Sequence, residues 1–186
     1  MYNCRSKAWT IQWLQTSAVG AGLLLGWISI STPVMAESTA EALRKFGLVG
    51  TWSTDCGKSG DMEGYVRKTY TVPAFGAATV IAISGLPGSG SVKTVAEIES
   101  AIRVTDDKIK ITSKITSQTY THVDTPTTNM NIGTIFESVF SNIGNKIRTV
   151  DDRAIDSHTG GTKLIFVLDG IEHSGRASPE WERCLN

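Results

Sequence analysis

Cysteine is scarce in this chain: three in 186 residues, at positions 4, 56 and 184, with no Cys-x-x-Cys pair that would suggest a redox dithiol or half of a zinc site. Histidine is equally sparse. His122, His158 and His173 show no His-x3-His or similar ligand spacing, so no metal centre is expected. Gly-x-Ser-x-Gly is absent, which removes the nucleophile elbow of the α/β-hydrolases. Gly57-Lys58-Ser59 has the ending of a phosphate-binding P-loop, but the glycine that should open the motif is Trp52. Neither sign of charge is in excess, at 18 basic and 18 acidic residues, so there is no basic face for nucleic acid. After residue 36 no run approaches the roughly 18 apolar residues that span a bilayer. Alternation of strands with long helices, the mark of βαβ units, is also missing.

What is present begins at the N-terminus. Arg5 and Lys7 precede a mostly apolar run from Trp13 to Ile30. Ser31-Thr32-Pro33 breaks it, and Val34-Met35-Ala36 offers the small residues of a signal-peptidase site before Glu37. Residues 1–36 are therefore expected to be a signal peptide, with an uncleaved anchor as the alternative. Residues 37–186 are expected to be a single exported domain, periplasmic or extracellular, in the setting of a bacterial envelope. No cysteine stands just after the apolar run, at the expected cleavage point, to carry a lipid anchor. In an oxidising compartment Cys56 and Cys184 are expected to form a disulfide; a pair of buried free thiols is the alternative.

Ser38-Thr39-Ala40-Glu41 reads as a capping box, and Gly47 as a stop, for a short helix over about 39–46. Strands are expected over 51–54, 64–72, 77–84, 92–104, 108–119, 146–155, 162–169 and 181–185. In the second, Val66, Tyr70 and Val72 share one face. The surest hairpin turns at Asp106-Asp107. One arm carries Val92, Thr94, Ala96, Ile98, Ser100, Ile102 and Val104 on one face. The other puts Ile109, Ile111, Ser113, Ile115, Ser117 and Thr119 inward. Ile132, Ile135, Phe136, Val139, Phe140 and Ile143 recur at steps of three and four, which predicts a second helix over 132–143, capped by Thr134, Glu137 and Gly144. Adjacent Asp106-Asp107 and Asp151-Asp152 should point to opposite faces, so neither is an acid–base pair and no catalytic residue emerges. The fold class expected is mainly β: an eight-stranded antiparallel up-and-down barrel with a short N-terminal helix and one further short helix.

Gly50-Thr51-Trp52, after a short helix and at the start of the first strand, resembles the Gly-x-Trp opening of the lipocalins. That resemblance implies a barrel whose floor is closed by Trp52, with Arg183 of the last strand packed across the ring as a structural pair. The family's Thr-Asp-Tyr motif has only Thr149-Val150-Asp151 as a counterpart. The function expected is non-catalytic binding of a small apolar or amphipathic ligand by Ile111, Ser113, Ile115 and Ser117, with no cofactor. A protein–protein module, an inhibitor or an envelope-assembly factor, is the second expectation. It would use an exposed apolar patch at Tyr65, Tyr70 or the 132–143 segment.

Overall fold

The computed structural model describes residues 37–58, 65–86, 90–121, 132–155, 161–172 and 174–185. The expected signal peptide, the three histidines and Ser59 lie outside them. One helix and ten strands follow in order: α1 (Thr39–Phe46), β1 (Gly50–Ser53), β2 (Val66–Thr71), β3 (Thr79–Leu86), β4 (Gly90–Thr105), β5 (Lys108–Thr121), β6 (Ile135–Ile143), β7 (Lys146–Ile155), β8 (Thr162–Leu168), β9 (Ile171–Glu172) and β10 (Glu180–Cys184). Each of β1 to β7 pairs antiparallel with the next, and β10 pairs with both β7 and β1. Eight strands thus close an antiparallel barrel, while β8 and β9 continue from β7 as a hairpin outside the ring.

The helix forms as its sequence dictates. The Ser38 hydroxyl accepts the Glu41 backbone N–H at 3.2 Å, and Gly47 ends the helix in the left-handed region at φ 81°. Glu41 does not complete the capping box; its carboxylate pairs with Lys45 at 2.7 Å instead. Ala42, Leu43 and Phe46 face the barrel interior, where they join Ile98, Ala101 and Ile109 of β4 and β5 in the main core. Burying Leu43 and Phe46 stabilises the fold by about 1.5–3 kcal/mol each. The Asn142 side-chain amide donates to the Phe46 carbonyl, which fixes the helix against β6. α1 therefore blocks the end of the barrel where the β4–β5 and β6–β7 turns lie.

Trp52 and Trp181 complete this closed end. The Trp52 indole donates to the Leu48 carbonyl at 2.8 Å, and that of Trp181 donates to the Thr149 hydroxyl at 3.3 Å. The Arg183 guanidinium lies 5.8 Å from the centroid of the Trp52 ring and donates to the Val49 carbonyl at 2.6 Å. Gly50 is needed beneath it. Its φ is 131°, and a β-carbon there would stand 3.2 Å from Arg183 Nε and Nη2. The Cys56–Cys184 disulfide ties the segment after β1 to the end of β10 across 128 residues.

The second helix expected over 132–143 is instead strand β6. Phe136 and Phe140 face the interior, while Ile143 lies outside. A four-residue step keeps two side chains on one face of a helix, but it also keeps them on one face of a strand, because four is a multiple of two. β-branched and aromatic residues favour the extended form, and β5 and β7 supply the backbone partners. Thr134 and Glu137 do not form a cap: the Thr134 carbonyl accepts from Ile115 N–H, and Glu137 pairs with Lys110 and Arg153. Gly144, at φ 67°, serves the tight β6–β7 turn.

Candidate functional site

Away from α1 the barrel is hollow. A cavity of about 290 Å³ is walled by all the strands from β2 to β7. Val80 and Ala82 come from β3, Val92, Thr94 and Ala96 from β4, Phe136, Ser138 and Phe140 from β6. Its wall is mainly apolar, with a few polar groups set into it, the composition of a small-molecule seat.

Of the residues expected to hold a ligand, Ile111, Ser113 and Ile115 line this cavity and are buried. Ser117 does not line it, and neither does Thr119: both are exposed. The register explains the correction. Val95 opposes Ser117 but the next residue, Ala96, opposes Ile115, so Thr116 is an extra residue in β5. A bulge shifts the alternation by one position. Beyond it the inward residue is Gln118, which lines the cavity and donates to the Thr94 hydroxyl at 3.2 Å. A second bulge, at Glu99 of β4, buries Ala101 and leaves Ile102 and Val104 exposed, against the expected alternation. A third, at Val150 of β7, turns Asp152 rather than Asp151 inward. The two adjacent carboxylates do diverge: Asp152 accepts the Ser138 hydroxyl at 2.8 Å, whereas Asp151 accepts the backbone N–H of Asp169.

Lys68 is the cavity residue that strand propensity passed over. Val66 and Tyr70 mark one face of β2, and Lys68 stands between them at the same parity. Its ammonium lies 4.9 Å from the Trp181 ring centroid and 5.6 Å from that of Phe140, so two aromatic faces hold it inside the barrel. Tyr70, buried and edge-on to Phe140 at 6.2 Å, adds a hydroxyl to the cavity wall. Burial, and secondly the charge of Asp152, push that phenol far above its usual range, so it stays protonated and can donate a hydrogen bond.

A lateral cleft adjoins the cavity. β7 gives its first residues to β10 and its last to β8, through the pairs Arg148–Glu180 and Asp152–Val167. Between them the wall is lined by Thr149, Asp152, Phe166, Val167, Trp181 and, from β2, Val66 and Lys68. Lys68, Ser84, Phe136 and Asp152 belong to both spaces. Tyr65 and Tyr70, expected on an exposed patch, are both buried. The apolar side chains that do reach the surface include Leu164, Ile165, Leu168 and Ile171 on the β8–β9 hairpin. No helix among the described residues is long and apolar enough to cross a membrane.

Comparison with protein families, with curated proteins and with solved structures returned no match.

Proposed function

We propose that this protein is a non-catalytic carrier, exported in an oxidised form, that holds a small apolar or amphipathic molecule inside its barrel. The observation that supports this reading most directly is the cavity of about 290 Å³, with Ile111, Ser113 and Ile115 on its wall and a sealed end beneath it. A barrel built only for stability would fill that space, since each buried void forfeits packing attraction. The closed eight-stranded antiparallel architecture is compatible with a calycin-like carrier, and Trp52 and Arg183, with Gly50 beneath, supply the structural pair that the lipocalin resemblance implies. The disulfide agrees with an exported, periplasmic or extracellular protein.

Native mass spectrometry of the protein purified from its own host tests the reading. The expected result is a mass excess present natively and shed on denaturation, lost in Ala96→Phe, which fills the cavity from β4. A bare native mass, with no uptake of 1-dodecanol in titration, would overturn it. The second reading would then lead: a protein-interaction module that docks an envelope partner on Leu164, Ile165, Leu168 and Ile171 of the outer hairpin.

A further inference from the structure

The cavity and the cleft meet at a seam shared by Lys68, Ser84, Phe136 and Asp152. Two of these four carry charge, and the signs are opposite. Lys68 and Asp152 form no ion pair with each other or with any other charged group among the described residues. Among the described residues the strand glutamates that draw cations do so on the outside of the barrel: Glu137 with Lys110 and Arg153, and Glu180 with Lys146 and Arg148. Charges withdrawn from water are costly unless a partner meets them. Here two half-buried side chains of opposite charge line one space without pairing.

The positions are held firmly. Trp181 and Phe140 grip the Lys68 ammonium from two strands, and the Ser138 hydroxyl fixes one oxygen of Asp152 while the other keeps its acceptor capacity. A purely anionic head at Lys68 would face the repulsion of Asp152, and of Glu172 on the cleft wall. A purely cationic head at Asp152 would face Lys68. A head with both signs meets each in turn. Beyond the seam the wall is mainly Val80, Ala82, Val92, Ala96, Ile111 and Ile115, with Thr94, Ser113 and Gln118 set among them, which suits an apolar tail. At roughly 30 Å³ for each water-sized group, the cavity takes a chain of about ten carbons.

We propose that the ligand is a linear amphiphile with a zwitterionic head, an ammonium beside a carboxylate, whose tail fills the barrel and whose head rests at the seam between Lys68 and Asp152. This rests on the carrier reading and adds the charge of the head and the direction in which the molecule lies.

Isothermal titration of the full chain at pH 7 with four probes, each below its micelle concentration, tests it: 2-aminododecanoic acid, dodecanoic acid, dodecylamine and 1-dodecanol. The amino acid is expected to bind at least tenfold tighter than the other three. Lys68→Met is expected to reduce it to the level of dodecylamine, and Asp152→Asn to that of dodecanoic acid, while Lys68→Arg keeps the preference. Equal affinity for all four probes, or variants that weaken all four alike, would overturn the zwitterion and leave the carrier standing. Failure of all four to bind, 1-dodecanol included, would overturn both. The comparison of probes on the unaltered protein decides the matter even if a variant does not fold.

Discussion

Removing the Cys56–Cys184 bridge by the double substitution Cys56→Ser, Cys184→Ser should unfold the protein at a much lower temperature. The bridge spans 128 residues. For a loop of that length the chain-entropy relation gives about 5 kcal/mol, an upper figure because residual structure in the unfolded chain lowers it. For a domain of this size each kcal/mol moves the midpoint by roughly 2–4 °C, so the variant should melt roughly 10–20 °C lower. The seam is then held by three residue pairs between β1 and β10 and three between β10 and β7, with the Arg183–Val49 hydrogen bond and the Glu180 ion pairs beside them. The assay is scanning calorimetry together with urea titration, comparing the oxidised protein with the double-serine variant. Both cysteines are only partly buried, so serine in their place removes little packing from the folded state; the slope of stability against urea should rise, because the unbridged unfolded chain exposes more surface. A loss below about 1 kcal/mol would refute the reasoning, because it would mean that the unfolded chain already keeps the two ends together.

Two further outcomes follow from side-chain placement. With the native disulfide intact, a thiol at Ser117→Cys should react with maleimide at the rate of an exposed cysteine, while Gln118→Cys should react slowly; the reverse order would remove the bulge at Thr116. Glu137, with Lys110 and then Arg153 against it, titrates below the ordinary glutamate value of 4.5. Its folded pKa is the lower one, so its stabilisation is complete above about pH 5 and is lost as the pH falls through that lowered value. Glu137→Gln should flatten the acid limb of stability below pH 5, read by urea titration at a series of pH values, and leave it steep only if other carboxylates carry that limb.

The helix and the β4–β5 hairpin were legible because their signals are local. Ser38, Gly47 and the Asp106-Asp107 turn act within a few residues of themselves. The faces of the long strands were not, because alternation assumes constant parity and the bulges at Glu99, Thr116 and Val150 each break it. Nothing in those residues announces a bulge; it arises from how two strands coil around a closed barrel. That is why Ser117 was expected inside and Gln118 was not, and why Asp152 emerged only from the register. The sequence of β6 is ambiguous for a different reason: the spacing of Phe136 and Phe140 is common to both periods, and only the availability of β5 and β7 as partners decides between them. Lys68 could have been found. It stands two residues from both Val66 and Tyr70, and a charged residue at an inward parity on an otherwise apolar face is a signal in itself.

The closure of the ring also sets an order on the making of the protein. β1 finds β2 within some twenty residues, but its other neighbour, β10, follows every other strand in the chain. The ribosome emits residues at roughly 5–20 per second, so β1 waits on the order of ten seconds with one edge unsatisfied. In that interval Trp52 has neither Arg183 over its ring nor Trp181 within reach, and the floor of the barrel cannot set. The ring therefore cannot close until its last strand is released, however early the other pairings form.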